Sequence, residues 1–244
     1  MTAPAKRGQP RESRRFDKTS CRAASYGKIV HRDYFAHCMR WSWAARLIEM
    51  GERVLDVGCG VDAPLAQVLS GTNFVHGGGQ YVGVDMNAAV KGHGKTWCRV
   101  TPQFDFTARW RELGEFDVVV NFEVIEHMGV ADGAALLAAM RGVLKPSGRI
   151  YLSTPVFNGS AARNHVHEYT VQELQAAIES AGLRVVYRRG TFASYNPLKK
   201  VLAPEHRTVY EALREFHGDD VMACFLAPLY PDASRNNFWC LRRS

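Results

Sequence analysis

The heptapeptide VLDVGCG, residues 54–60, decides the fold. Its first four residues are typical of a buried strand, and Gly58-Cys59-Gly60 lets the backbone turn sharply and approach a ligand at the carboxyl end of that strand. The turn departs from the GxGxxG fingerprint of dinucleotide sites, because Val-Asp-Ala-Pro follows Gly60. Asp56, two residues before the first glycine, places a carboxylate where it can receive an ammonium group or order water. Dinucleotide phosphates would be repelled there, so the segment favours a different ligand.

Around this turn, predicted strands and helices alternate along the chain. The predicted strands are RVLDVGCG, YVGVDMN, FDVVVNF, RIYLSTP, LRVVYRRG and NNFWCLRR. The predicted helices between them are PLAQVLSG, ADGAALLAAMRGVLKPSG and TVQELQAAIESAG, the last with Thr170 as N-cap and Glu173 placed for a capping box. This alternation predicts an α/β fold with a mostly parallel central sheet and helices on both faces.

Charge and composition divide the chain into a tail and one large domain. Seven basic and two acidic residues give residues 1–22 a net charge of +5, out of +7 for all 244 residues. We interpret 1–22 as a flexible basic tail, either simply solvated or able to contact phosphates. Residues 23–244 form the domain, with a cover helix over 23–50 and an insertion over 191–232 before the last strand. That insertion contains Pro-containing segments and one predicted helical stretch, VYEALREFHG.

Composition also limits the class of protein. Hydrophobic residues make up 46% of the chain, which is ordinary for a globular protein. No apolar run approaches the roughly 20 residues that cross a bilayer, and the first residues do not form a secretory signal. The six cysteines are scattered without a CxxC pair. We therefore expect a reduced, cytoplasmic protein without a membrane partner.

The order of these motifs over roughly residues 50–190 resembles that of class I S-adenosylmethionine-dependent methyltransferases. The resemblance implies a Rossmann-like fold and S-adenosylmethionine as cofactor. It places Asp85, at the end of the second strand, on the two ribose hydroxyls, with Met86 against the adenine. The further cofactor contacts that it implies come from Phe104, Asp105 and Phe106 beside the adenine and from Asn121 and Phe122 beside the methionine moiety. Asp62 stands where many members have a third glycine, and it either caps the next helix or lies near the amino-acid end of the cofactor.

A second motif, EVIEH, occupies residues 123–127. If it forms a helical turn, Glu123, Glu126 and His127 share one face, and His165 follows the next strand on the same sheet edge. These residues resemble the magnesium or manganese site of O-methyltransferases that act on small-RNA 2′-hydroxyls or in ubiquinone synthesis. The alternative is a metal-free pocket in which Glu123 and His127 line the wall or act as base. Without a metal His165 is also a candidate base, unless His165 and His167 simply belong to a polar lid.

The residues thus predict a methyltransferase, with Glu126, His127 and His165 as its catalytic candidates. The favoured acceptor is a hydroxyl of a small or sugar-like molecule, with metal assistance as an open question. The alternatives are a methyltransferase for nucleic acid or nucleotides and a non-catalytic cofactor-binding scaffold. An arginine of the cover helix, either Arg32 or Arg40, is a candidate to pair with the methionine carboxylate.

Overall fold

Helices cover both faces of a seven-stranded sheet in the computed structural model, which describes residues 25–26, 29–30, 32–91, 94–193 and 195–244. The strands are β1 Ser25–Tyr26, β2 Ile29–Val30, β3 Arg53–Val57, β4 Gln80–Val84, β5 Cys98–Thr101, β6 Phe116–Phe122, β7 Leu144–Pro155, β8 Leu183–Ala193 and β9 Ser234–Arg243. The α-helices are α1 Arg32–Leu47, α2 Pro64–Ser70, α3 Asn73–His76, α4 Phe106–Arg109, α5 Val130–Gly142, α6 Val171–Ser180, α7 Tyr195–Val201, α8 Pro204–His217 and α9 Asp219–Leu226. Four 3-10 turns lie at Trp110–Glu112, Ile125–His127, Ala227–Leu229 and Pro231–Ala233.

The central sheet has the strand order β5-β4-β3-β6-β7-β9-β8. Strands β3, β4, β5, β6 and β7 pair in parallel, and β9 runs antiparallel to both of its neighbours. The carboxyl ends of the parallel strands therefore lie on one edge of the sheet, where ligands bind in open α/β folds. The predicted mostly parallel, Rossmann-like α/β fold is confirmed.

Alternation along the strands sends side chains into two separate cores. In β6, Val119 packs into the core that α5 and α6 cover, whereas Val118 and Val120 pack into the core beneath α1 and α2. Phe238 and Trp239 of β9 divide between the two cores in the same way. This period-2 pattern is what a strand buried on both faces requires.

Helix ends follow the sequence in some places and depart from it in others. Thr170 and Glu173 form both hydrogen bonds of the predicted capping box at the start of α6. Helix α5 ends at Gly142, earlier than the Pro-Ser-Gly stop suggested, because Leu144 already pairs with Phe116 in the sheet. The segment before β9 contains α7 and α9 besides the one helix that was expected, and α9 packs against β8.

Two findings concern membrane-spanning helices and the state of the cysteines. None of the helices in the described ranges is both long enough and apolar enough to span a bilayer. The five cysteines in those ranges, Cys38, Cys59, Cys98, Cys224 and Cys240, are free thiols. The basic tail over 1–22 lies outside the described residues.

Candidate active site

A cavity of about 430 Å³ lies at the carboxyl ends of β3, β4 and β6. Its walls fall into two groups of residues, named here for their most distinctive members. The glycine half consists of Gly58, Cys59, Gly60, Asp85, Met86, Asp105 and Phe106. The histidine half consists of Arg40, Glu123, Glu126, His127, His165, Arg235 and Asn236. Phe122, at the end of β6, also lines the cavity.

The turn after β3 requires its glycines. Gly58 and Gly60 have φ values of +77° and +73°, a region that side chains with a Cβ rarely adopt. A Cβ on Gly58 would also lie only 2.3 Å from Cγ2 of Val124. Any larger residue at position 58 would clash with Val124, so the turn keeps its shape only with glycine there.

Asp85 is held at the end of β4 by backbone amides. The Gly60 amide donates to its Oδ2 at 2.8 Å, and the Asn87 amide donates to its Oδ1 at 2.8 Å. Each carboxylate oxygen has two lone pairs, so both can still accept a bond from a ligand diol. Met86, next in the chain, is 68% exposed and lines the same cavity.

Asp105 has a structural role besides its place in the cavity wall. Its Oδ1 caps α4 by accepting from the Ala108 amide at 3.2 Å, and it also accepts from the Thr107 hydroxyl at 2.7 Å. These bonds lower the pKa of Asp105, so the carboxylate stays ionised in ordinary conditions. Phe106, the first residue of α4, is buried at the cavity wall.

Asp56 and Asn121 are placed beneath the cavity and are not among its lining residues. The Tyr81 hydroxyl donates to Oδ2 of Asp56 at 2.6 Å, and burial raises the pKa of Asp56 to about 7. Asn121 Nδ2 donates to the Val57 carbonyl oxygen at 3.0 Å, while its Oδ1 has no hydrogen-bond partner among the described residues. Asp62 is not the cap of α2, since Ala63 occupies the N-cap position without a side-chain bond.

Arg40 of α1 is a buried cation in the cavity wall. It is 1% exposed, its Nη2 lies 2.8 Å from Nδ1 of His37, and its Nη1 lies 3.8 Å from Oε1 of Glu123. Its Nε and Nη1 have no hydrogen-bond partner within the described part of the chain. Unsatisfied buried donors are costly, so this guanidinium is suited to an anionic group in the cavity. Arg32, the other expected arginine, has its side chain outside the described residues.

Glu123 does not join the face that the EVIEH motif was expected to form. Its φ is +57°, and the 3-10 turn begins only at Ile125, so Glu123 is not part of the turn. Its carboxylate accepts from the Ser153 hydroxyl at 2.7 Å and from Asn236 Nδ2 at 2.7 Å. The predicted i, i+3, i+4 arrangement is therefore wrong for Glu123, because the chain leaves β6 in a left-handed conformation before the turn starts.

The other three candidate ligands do come together. Glu126, His127 and His165 each offer a ligand atom, and these atoms lie within 4.8 Å of one another. The Thr154 hydroxyl donates to Oε2 of Glu126 at 3.0 Å, and burial together with nearby Glu123 raises the pKa of Glu126. His127 Nδ1 is 2.9 Å from the Asn164 carbonyl oxygen. His167 lies apart, with its ring edge-on to Tyr169.

Comparisons with known proteins agree with this architecture. Residues 26–188 match the family described as methyltransferase domain. Ubiquinone biosynthesis O-methyltransferase of Rhizobium rhizogenes strain K84 is 30% identical over 183 residues, which cover 64% of this chain and 68% of that protein. Among solved structures, mitomycin 7-O-methyltransferase MmcR has a TM-score of 0.53 at 16% identity, over 87% of this chain and 57% of its own.

The calicheamicin-biosynthesis methyltransferase CalO1, in its S-adenosylhomocysteine-bound form, has a TM-score of 0.54 at 19% identity, over 87% of this chain and 55% of its own. The chain thus spans a little over half the length of these two structures, and at such identities they show the shared fold alone. The family match covers more than half of the chain and agrees with the sheet order and with the cavity. The chain belongs to the class I S-adenosylmethionine-dependent methyltransferases.

Proposed function

We propose that this enzyme methylates a hydroxyl group of a small molecule. The observation that carries the proposal is the cluster of Glu126, His127 and His165, which lines the same cavity as the glycine half. A hydroxyl is a poor nucleophile near neutral pH, so its methylation needs a base or a cation beside the reacting oxygen. The curated relative from Rhizobium rhizogenes carries the name of an O-methyltransferase, which supports the same acceptor chemistry.

The glycine half fits the methyl donor. The donor supplies an electrophilic methyl group on a sulfonium. Gly58 and Gly60 line the cavity in a backbone conformation that favours glycine, and Asp85 has lone pairs left for the ribose diol. On the other side of the cavity, Nε and Nη1 of Arg40, which make no hydrogen bond to the described residues, can hold the methionine carboxylate. Together these contacts would orient the methyl group for in-line attack by an oxygen about 3 Å away.

The histidine half fits a divalent cation, which we include in the proposal. Two imidazoles and one carboxylate form a donor set for a first-row ion such as manganese, and magnesium accepts the carboxylate equally well. Such an ion would supply Lewis acidity that lowers the pKa of the acceptor hydroxyl. Glu123 is not part of this set, because Ser153 and Asn236 hold its carboxylate.

The same residues also provide a base. In His127 and His165, Nδ1 is engaged by Asn164 and Glu168 respectively, which leaves Nε2 as the nitrogen available to the cavity. Either Nε2 can take the proton from the hydroxyl as the carbon–oxygen bond forms. The metal-assisted and metal-free versions of the reaction therefore use the same wall of the cavity.

The test is methyl transfer from labelled S-adenosylmethionine to three separate pools of acceptors: catechols and sugars, nucleosides and nucleotides, and RNA. We expect labelling of the hydroxylated small molecules. Labelling confined to RNA or nucleotides would replace the proposed acceptor, and tight donor binding without transfer to any pool would favour a scaffold.

Chelation followed by readdition of Mn²⁺ or Mg²⁺ tests the cation separately. We expect activity to fall on chelation and to return with the ion, and calorimetry should detect Mn²⁺ binding that His165→Gln weakens. Full activity after chelation would remove the cation from the proposal and leave the histidine base.

A further inference from the structure

Glu168 is a buried carboxylate that no motif had singled out. It lies in the loop between β7 and α6, and its side chain is 0% exposed. Four hydrogen bonds converge on it: Arg235 Nη2 donates to Oε1 at 2.6 Å and to Oε2 at 2.7 Å, the Ala162 amide donates to Oε1 at 3.0 Å, and His165 Nδ1 lies 2.6 Å from Oε1. Glu168 itself is not among the residues that line the cavity, and it contacts three that are, namely Ala162, His165 and Arg235.

These bonds determine which nitrogen of His165 carries a proton. A carboxylate paired with a guanidinium is a hydrogen-bond acceptor, so the short contact requires a proton on Nδ1 of His165. When the ring carries a single proton, Nε2 then holds the lone pair. The ring centroids of His165 and His127 lie 5.0 Å apart, and both residues belong to the cluster with Glu126. The lone pair on Nε2 is therefore in the histidine half of the cavity.

Arg235 ties this arrangement to the sheet. Its side chain donates to the Val156 carbonyl oxygen through Nη1 at 2.5 Å, and its own carbonyl accepts from the Val156 amide at 2.7 Å. Arg235 belongs to β9, which is hydrogen-bonded on both sides in the sheet. Glu168 therefore links the His165 ring to a strand in the sheet, so the position of the ring does not depend on its own loop alone. Carboxylates that accept from reactive or metal-binding histidines orient the ring in the same way in other proteins.

We propose that Glu168 is a positioning residue for His165, an inference that rests on the proposed function of the histidine half. It holds His165 as the Nδ1–H tautomer and turns Nε2 toward Glu126 and His127. The same tautomer serves both versions of the reaction, since Nε2 is the atom that either binds a cation or accepts the proton from the hydroxyl.

The direct test is the tautomer of His165 in protein with ¹⁵N-labelled histidine. Long-range ¹H–¹⁵N correlation spectra at alkaline pH distinguish a proton on Nδ1 from one on Nε2, and the signal missing in His165→Gln assigns the residue. We expect Nδ1–H in the unaltered protein. An Nε2–H tautomer there would overturn the proposal without the need for any Glu168 variant.

Variants then test whether Glu168 is the cause. Glu168→Ala should shift His165 toward the Nε2–H tautomer and lower kcat by roughly 10-fold to 100-fold, with the affinity for S-adenosylmethionine unchanged. Glu168→Gln, whose amide oxygen still accepts from Nδ1, should restore part of kcat. Glu173→Gln is the matched control, because glutamine also serves in the capping box of the same segment.

The outcomes separate this inference from the proposed function. If Glu168→Ala leaves both the tautomer and kcat unchanged, Glu168 is only a structural partner of Arg235 and the inference is wrong. If no hydroxyl compound is methylated, the proposed function fails, yet the spectra still decide whether Glu168 sets the tautomer.

Discussion

In the glycine half of the cavity Asp85 is held by backbone amides, whereas in the histidine half Glu123 and Glu126 are held by side chains of distant segments. Asp85 is held by the amides of Gly60 and Asn87, all within two adjacent loops. Glu123, by contrast, is held by Ser153 and Asn236, which lie 30 and 113 residues away along the chain.

This difference shows which part of the site can change by single substitutions without a change of the fold. A binding site built from backbone groups suits a ligand that does not vary, such as the methyl donor. Its shape is set by the ends of the strands and by glycines, and not by the identity of the side chains. A network of side chains from several segments can be altered one residue at a time without changing the fold. We therefore expect the glycine half to govern donor binding and the histidine half to govern turnover.

The largest expected effect is on turnover, from Glu126→Gln. Removing the carboxylate should lower kcat by at least about 100-fold, because both the cation and the histidine base depend on the cluster that contains it. Calorimetry should find the affinity for S-adenosylmethionine unchanged. The control is Glu112→Gln, a substitution on the surface helical turn away from the cavity. A variant that loses donor binding together with kcat would contradict the division into two halves.

The next effect is on donor affinity, from Asp85→Ala. Loss of a charge-assisted bond to the ribose diol costs about 1.5–3 kcal/mol, which weakens binding roughly 10-fold to 100-fold. The variant should keep most of its kcat at saturating donor. Unchanged affinity in a calorimetric titration would show that the ribose lies elsewhere in the cavity.

The third effect is on stability, and it concerns Asp56, which lies beneath the glycine half. Burial raises the pKa of Asp56 to about 7, while the unfolded chain titrates near its ordinary value of 3.8. The folded state therefore holds the proton more tightly, and stability falls as pH rises between these two values. The free energy of unfolding should fall by up to about 1.4 kcal/mol per pH unit in this window. Asp56→Asn has no group to titrate and can keep the hydrogen bond from Tyr81, so it should not show this fall.

Denaturant unfolding of both proteins at pH 5, 6 and 7 measures the difference. Parallel pH profiles for the unaltered protein and Asp56→Asn would mean that Asp56 is ionised in the folded state. A loss of donor affinity in Asp56→Asn would instead return Asp56 to the cofactor site, where its place before the glycines had suggested it.

Local chemistry explains why sequence reasoning succeeded for the fold and brought the residues of the glycine half to one cavity. Gly58, Gly60 and Asp85 stand at strand ends whose hydrophobic patterns identify them, and Thr170 with Glu173 is a purely local cap. Arg40 was one of two possible arginines, and its burial in the cavity wall follows from the packing of α1, which spacing does not predict.

The histidine half depends on information that spacing does not contain. The left-handed backbone at Glu123 moves its carboxylate off the expected face, and no periodicity predicts a positive φ for a glutamate. Glu168 and Arg235 are 67 residues apart and carry no motif, so their pairing follows only from the way the sheet is completed. Asp56 was expected beside the cofactor because its position along β3 does not reveal which face of the sheet it occupies.

The insertion of β9 between β7 and β8 has a consequence for biosynthesis. Until residues 234–243 leave the ribosome, β7 and β8 each lack a hydrogen-bonding neighbour, and both cores lack the aromatic rings of Phe238 and Trp239. The same ten residues bring Arg235 and Asn236 to the cavity. A chain without these ten residues therefore can neither complete its sheet nor assemble the histidine half of the cavity, so it should not turn over.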